Sequence, residues 1–344
     1  MQKITNIEIK NFKSIRHAEI KDCKRINVFI GYPNVGKSNI LEALSLFAVN
    51  QQTELKDLVR LKETPTIFFN GFMENGLEVL LNNSCGIFGE FSANQFSLAY
   101  QVKEQNGVFS KIKLNAALNP SIVKEIYFDN FKNAGSRNDY SEDREFVIKK
   151  YEFQKKVGQS KRNYSSLEYP FGENIFSIIQ TNGKLNKEAS ELLSEYDLEL
   201  LYDNREQEFT ILKRTGTRIF TVPYELLADT LQRLLFYKAA ILSNKEKILI
   251  FEEPEAHMFP PYISKFAADI IFDENMNQYF ISTHSPFVLN DFMEDLKEDE
   301  LSIYTVSLKN GETVIKKLTD KQITEIYQYG IDLFFNLESF LKND

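Results

Sequence analysis

The chain has 344 residues, of which 43% are hydrophobic and 26% charged, with a formal net charge of −8. That balance excludes disorder and fibre, leaves room for one large α/β domain with an insertion or for two modest domains, and argues against nonspecific binding of nucleic acid by the whole surface. Two cysteines, Cys23 and Cys85, with three histidines supply neither a disulfide framework nor a zinc-ligand cluster, and no run approaches the ~18 apolar residues of a membrane span; a soluble protein of the reducing cytoplasm is expected.

Taken in chain order, residues 4–12 (ITNIEIKNF) alternate apolar and polar side chains like a half-buried strand, and 25–31 (RINVFIG) form a second strand ending on a glycine. Residues 38–49 place Ile40, Leu41, Leu44 and Phe47 at helical spacing. Residues 66–81 predict a hairpin turning at Glu74-Asn75-Gly76, because Asn-Gly supplies the positive φ angles of a tight turn. From about 86 to 205 the sequence is aromatic, asparagine-rich and irregular, without sustained heptads, which predicts an inserted lobe and not a coiled-coil arm. Regular patterning returns at 229–243, where Asp229 is expected to cap a helix carrying Leu231, Leu234, Leu235 and Leu242 inward. The apolar run 248–251 then meets the carboxylates of EEPEAH, and Pro260-Pro261 opens a helix with Ile263, Phe266, Ala267, Ile270 and Ile271 on one face. An apolar strand leads into THSPF by 287, followed by a hairpin around Lys309-Asn310-Gly311 and a terminal helix. No internal repeat is present.

Gly31-Tyr32-Pro33-Asn34-Val35-Gly36-Lys37-Ser38 matches Gly-x4-Gly-Lys-Ser between a predicted strand and a predicted helix. The backbone amides of this loop, continued by Asn39 at the helix start, are expected to surround the phosphates of ATP. Lys37 would bridge the β- and γ-phosphates, and the Ser38 hydroxyl would ligate Mg²⁺. Such a loop requires a carboxylate at the end of a neighbouring strand. Glu252 is expected to hold the metal, directly or through a water, and Glu253 to orient or deprotonate the attacking water. Glu255 is expected to be solvated. His284, after an apolar strand at the same edge, is expected to sense the γ-phosphate. His17 and His257 are read as surface or packing residues. Asn70 is the candidate for a glutamine-loop position, with ordinary hairpin polarity as the alternative.

These pieces in this order resemble the ABC-type ATPases of the SMC, RecF and OLD (overcoming lysogenization defect) group, on NFKSI at 11–15, INVFIGYPNVGKSNILEAL at 26–44, ILIFEEPEAH at 248–257 and FISTHSPF at 280–287. EEPEAH and THSP together look most like the OLD-like branch. The resemblance covers the two ends of the chain. It implies an α/β ABC-ATPase-like head, with a mixed sheet around a P-loop core, accompanying antiparallel strands and an inserted middle lobe. The expected divisions are 1–85 and 206–300 for the two parts of the head, 86–205 for the lobe and 301–344 for a terminal hairpin and helix. The resemblance further implies a homodimer closed around two ATP molecules, each completed by a signature loop from the other subunit. Here the matching place reads Leu226-Leu227-Ala228-Asp229-Thr230, without glycine or serine, so Asp229 and Thr230 at a helix N-terminus are the expected nucleotide contacts. The tail offers no acidic cluster for a TOPRIM nuclease.

Lys149, Lys150, Lys155, Lys156, Lys161 and Arg162 interleave with Tyr151, Phe153 and Tyr164. Such a pattern can track a nucleic-acid backbone, or can be a solvated loop. Three readings therefore stand. The first is an Mg-dependent dimeric ATPase of a prokaryotic anti-phage defence module, acting with an effector from a neighbouring gene. The second is a RecF-like repair ATPase that clamps DNA. The third is a nucleotide-gated scaffold with little turnover.

Overall fold

A computed structural model describes residues 3–48, 53, 55–61, 64–83, 86–93, 111–118, 123–129, 133–137, 147–155, 165–203 and 208–341. The N-terminal strands are β1 (Asn6–Phe12), β2 (Ile15–Ile20) and β3 (Ile26–Ile30), followed by helix α1 (Lys37–Ser45) and a short helix α2 (Leu55–Leu58). Next come β4 (Leu77–Asn83), β5 (Gly86–Ala93), β6 (Lys111–Leu118), β7 (Val123–Asp129), β8 (Asn133–Arg137) and β9 (Ile148–Tyr151). Helices α3 (Ile175–Thr181) and α4 (Gly183–Ser194) precede β10 (Leu198–Asp203), β11 (Glu208–Thr215) and β12 (Arg218–Pro223). The C-terminal part comprises α5 (Asp229–Ser243), β13 (Ile248–Glu252), α6 (Pro260–Ile271), β14 (Gln278–Ser282), α7 (Pro286–Asp295), β15 (Leu301–Lys309), β16 (Glu312–Lys317), α8 (Asp320–Gln328) and α9 (Leu337–Leu341).

The central sheet runs β16-β15-β3-β14-β13-β9. Its strands are parallel except β16, which pairs antiparallel with β15. Both faces are covered, so β3, β13 and β14 are mostly apolar and buried on both sides. Alternate residues divide between two cores. Ile26, Val28, Leu249, Phe251, Tyr279 and Ile281 pack with α5, α6 and α7. Phe29, Ile248, Ile250 and Phe280 face α1 and the antiparallel strands β1, β2 and β4. The P-loop follows β3, the glutamates close β13, and the THSP segment follows β14, which lies between them. Register sets Ser282 level with both Glu252 and Phe29, so three chain segments far apart in sequence emerge at one carboxyl-terminal edge.

The mixed α/β fold with accompanying antiparallel strands is as expected. The pairing of those strands is not. Residues 66–81 form no hairpin: short 3₁₀ turns at Thr64–Ile67, Phe69–Gly71 and Met73–Asn75 lead into β4. Phe68 bridges Phe12, and the Lys13 amide donates to the Ile67 carbonyl, so this segment is held against the end of β1 and buries Ile67 and Phe68. Asn75-Gly76 marks the entrance to β4, which pairs with β1 and β5. Strand β2, absent from the sequence expectation, returns from β1 through Lys13, whose φ of 50° lies in the left-handed region. Strands β4 to β8 extend the sheet that β1 and β2 begin, so the boundary expected at 86 separates paired strands. The division at 205 likewise falls between β10 and β11, which pair antiparallel in a separate three-stranded sheet. Strand β9, inside the span expected to be a lobe, is the edge of the central sheet, because Ile148 and Tyr151 supply buried apolar surface there. The chain's last hairpin turns at Asn310-Gly311 with positive φ at both residues, as expected, and two helices follow it where one was predicted. No helix among the described residues is long and apolar enough to cross a membrane.

Candidate active site

The loop after β3 is tied from behind. A Cβ on Gly31 would lie 2.2 Å from the Val306 carbonyl oxygen, and one on Gly36 would lie 2.2 Å from Thr313 Oγ1. Gly36 also takes φ 103°, so glycine is required there on two counts. Thr313 Oγ1 donates to the Val35 carbonyl at 2.9 Å and lies 2.7 Å from Ser14 Oγ. Asn39, expected among the nucleotide contacts, donates from its side-chain amide to Ser14 Oγ at 2.6 Å and so braces the loop against the β1–β2 turn. Tyr32, Pro33 and Asn34 are exposed at the rim, while Gly31, Val35 and Lys37 are buried. Helix α1 begins at Gly36 without a side-chain cap, which leaves its first-turn amides available to an anion.

Lys37 donates from Nζ to the carbonyls of Gly31 (3.0 Å) and Tyr32 (2.9 Å), so the ammonium sits inside its own loop. Burial lowers its pKa, and the nearby carboxylates of Glu253 and Glu252 oppose that shift. Across the edge, the Ser38 hydroxyl is a neighbour of the Glu252 carboxylate. Burial raises the pKa of Glu252, but Lys150, Ser38 and Arg60 together outweigh it and hold the group below its ordinary value. Glu253 follows with φ 43°, a left-handed conformation that costs about 1–2 kcal/mol in a non-glycine residue. Its amide donates to the Ser282 carbonyl at 2.9 Å, and its carbonyl accepts from the Ala256 amide at 3.0 Å, which holds the turn. His284 Nε2 lies 3.3 Å from Glu253 Oε1. Burial and then Lys37 push the histidine pKa down, against the pull of Glu253, which favours the neutral imidazole. The structure thus brings Lys37, Ser38, Glu252, Glu253 and His284 together.

Other expectations are corrected. Lys149 and Lys150 do not form a nucleic-acid surface: both are buried, because β9 is a strand of the core sheet. Lys149 Nζ donates to Ser166 Oγ and Asn244 Oδ1, each at 2.8 Å. Lys150 Nζ donates to the Leu58 carbonyl and lies 3.6 Å from Glu252 Oε2. Tyr151 is fully buried and donates its hydroxyl to the Leu167 carbonyl. Lys155 is exposed, and Lys156, Lys161, Arg162 and Tyr164 lie outside the described residues. Asp229 is not a cap. Ala228 occupies that position, and the Asp229 carboxylate accepts from Arg233 Nε at 2.9 Å, one turn on. Thr230 donates to the His257 carbonyl at 3.2 Å, tying the start of α5 to the segment after the glutamates. Asn70 sits exposed in a 3₁₀ turn with φ 51°. His17 and His257 are exposed, and His17 Nε2 lies 2.9 Å from Glu8 Oε1.

Glu255 is the largest departure, because it is only 7% exposed where a solvated side chain was expected. The turn after Glu253 folds it back under the β14 end, where Oε1 accepts from Thr283 Oγ1 (2.6 Å) and the His284 amide (2.9 Å). Burial raises its pKa against those hydrogen bonds. The folded state therefore favours the proton, and the stability this confers is complete below the ordinary 4.5 and is lost as pH rises through the folded-state value. Glu255→Gln removes the titration. Its melting temperature relative to wild type is expected to improve from about pH 5 to about pH 8, as followed by circular dichroism.

Sequence reading also missed Lys13, Glu42 and Arg60. Glu42, on the buried face of α1, receives hydrogen bonds from Lys13 Nζ and from Arg60 Nε, the latter at 2.6 Å. Arg60 Nη2 then lies 3.3 Å from Glu252 Oε1. An acidic residue among Ile40, Leu41, Ala43 and Leu44, all buried, was the available signal. Its partners are 29 and 18 residues away.

Residues 2–235 match the family model described as AAA ATPase domain. The chain is 23% identical over 384 aligned positions to a Helicobacter pylori protein named ATP/GTP phosphatase, covering 99% of this chain and 98% of that one. A 44-residue stretch is 48% identical to an uncharacterized protein of Methanocaldococcus jannaschii, 13% of this chain and 20% of the other. Among solved structures, the Smc head bound to the C-terminal winged-helix domain of ScpA is similar at TM-score 0.52 and 15% identity, over 94% of this chain and 99% of that one. An Smc head with an extended coiled coil, bound to the C-terminal domain of ScpA derived from Pyrococcus furiosus, gives 0.50 and 14%, over 96% and 99%. The phosphate loop, the carboxylates at the adjoining strand end and the family match lead to one assignment: the chain belongs to the AAA ATPase domain family, and its fold is similar to that of Smc heads.

Proposed function

We propose that this ATPase binds Mg·ATP on the 31–38 loop and hydrolyses it with Glu253 as the general base, in a cycle in which the nucleotide closes a homodimer. The observation that carries the reading is the convergence of the 31–38 loop, Glu252 and the segment after β14 at one sheet edge, with the Glu253–His284 pair at 3.3 Å beside them. A hydroxyl beside a carboxylate offers the oxygen ligands that suit a hard divalent cation, and Ser38 and Glu252 are the residues that would hold it. Magnesium held there would supply charge that neutralises the phosphates. Lys37 exchanges its carbonyl partners for phosphate oxygens, and the uncapped α1 terminus receives the β-phosphate. Glu253 takes a proton from the attacking water, and His284 turns its ring N–H from Glu253 to the γ-phosphate.

The resemblance to the OLD-like branch implies a cytoplasmic ATPase partner in an anti-phage module, working with a separate effector. Burial of Lys149 and Lys150 weakens the alternative of a DNA clamp built on 149–162. A signature position without glycine keeps the low-turnover scaffold in play. The Helicobacter pylori relative's name extends the test to GTP. Calorimetry should register Mg·ATP binding to wild type and at least about a tenfold loss in Lys37→Ala. Light scattering on Glu253→Gln should show dimers only with Mg·ATP. Absence of binding heat in wild type would overturn the nucleotide reading, and a monomer under all conditions would overturn the dimer. Loss of the gene with unchanged phage plating would count against the defence role.

A further inference from the structure

We propose that Glu255 is a positioning residue that clamps the Thr283–His284 segment after β14 to the turn after β13, and so fixes the His284 imidazole against Glu253; the proposal rests on the hydrolytic reading of this site. The carboxylate is held from two sides of the sheet edge. Its backbone belongs to the turn that carries Glu253, since the Glu253 carbonyl accepts from the Ala256 amide and the Glu255 carbonyl accepts from the Met258 amide. Its side chain reaches the neighbouring segment, where Oε1 takes two hydrogen bonds at once, from the Thr283 hydroxyl at 2.6 Å and the His284 amide at 2.9 Å. Thr283 Oγ1 in turn accepts from the Ser285 amide at 3.0 Å, so the same cluster closes the N-terminus of α7, which has no side-chain cap of its own.

A buried carboxylate is costly, and this one is under-satisfied: Oε2 is buried without a hydrogen-bond partner. An apolar residue, or threonine in place of glutamate, would avoid that penalty if the site were only packing. What the carboxylate uniquely does is fix the backbone at His284, one bond from the Cα whose side chain meets Glu253. Register already brings the two segments level, with the Glu253 amide on the Ser282 carbonyl. The Thr283 amide continues that pairing by donating to the Phe29 carbonyl at 3.2 Å, which leaves the His284 amide to be held by Glu255 at 2.9 Å. Hydrogen-bonded positioning of this kind matters because sub-ångström placement governs proton transfer and γ-phosphate contact.

The experiment compares wild type with Glu255→Ala, Glu255→Gln, His284→Ala and the Glu255→Ala/His284→Ala double variant. Glu255→Ala is expected to lower kcat about tenfold or more with KM for Mg·ATP changed by less than about threefold, and Glu255→Gln, which keeps an acceptor, to recover most of the loss. In the His284→Ala background Glu255→Ala should add nothing further, because the two residues act as one unit. Side-chain NMR of the three histidines supplies a readout that needs no turnover: in Glu255→Ala the His284 ring signals should move and broaden while those of His17 and His257 stay in place. Unchanged His284 signals, fully additive losses in the double variant, or equal damage from Gln and Ala would each overturn the proposal. A wild type without turnover would remove the hydrolytic reading, yet a shifted His284 signal would still report the clamp.

Discussion

Glu253→Gln is expected to lower ATP turnover by about 10²–10³-fold while leaving Mg·ATP affinity within about threefold of wild type. Glutamine keeps the size of the side chain and an acceptor for His284, which lies 3.3 Å from Glu253 Oε1, but it cannot take a proton from water. The turn is also preserved, because its hydrogen bonds to Ser282 and Ala256 are made by the Glu253 backbone. Glu252→Gln should behave differently. It removes the negative charge beside Ser38 and leaves Lys150, only 2% exposed, beside a neutral amide, so both nucleotide affinity and stability are expected to fall. Phosphate release with matched binding isotherms separates the two. A Glu253→Gln variant that hydrolyses at the wild-type rate would remove the assignment of the general base.

Glu42→Ala is expected to destabilise the protein by about 3 kcal/mol, the usual consequence of removing one partner from a buried ion pair. The cost falls mainly on Lys13, because Glu42 is fully buried and the Lys13 side chain is 12% exposed, whereas Arg60 is 65% exposed and can return to water. Burial lowers the pKa of Lys13, with Glu42 opposing that shift, so the variant should leave an amine still easier to deprotonate. Its stability deficit is therefore expected to shrink as pH rises toward the lysine's lowered pKa. Urea midpoints across pH check both statements. The same variant frees Arg60 from its 2.6 Å bond to Glu42 and should loosen its contact with Glu252, adding a modest loss of Mg·ATP affinity.

Much of the site was legible in local chemistry. A glycine loop needs its glycines wherever it occurs; at Gly31 the reason proves to be the close approach of the Val306 carbonyl from β15, and at Gly36 the Thr313 side chain of β16 together with a positive φ. The strands before it and before each polar segment are apolar on both sides, as buried parallel strands must be. Helix α6 presents the five inward residues that its spacing predicts. Misreadings cluster where a local pattern has two tertiary outcomes. Asn75-Gly76 carries the chemistry of a hairpin turn, but Phe68 and Ile67 find their burial against β1 and the turn opens a strand instead. Lys149 and Lys150 among aromatics read as a solvated or nucleic-acid-facing run until β9 adds to the edge of the sheet beside β13.

The sequence by itself determined the phosphate loop, the strands and helices flanking it, and the chemical types gathered in EEPEAH and THSP, since these follow from contacts a few residues apart. Only the tertiary structure decided which of those charges are buried and whom they face. Strand order β3-β14-β13 sets the distant segments at one edge, the turn after Glu253 returns Glu255 beneath His284, and β9 delivers Lys150 to Glu252. The reason is that periodicity records which way a side chain points from its own backbone, whereas desolvation and pairing depend on partners that arrive from elsewhere in the chain.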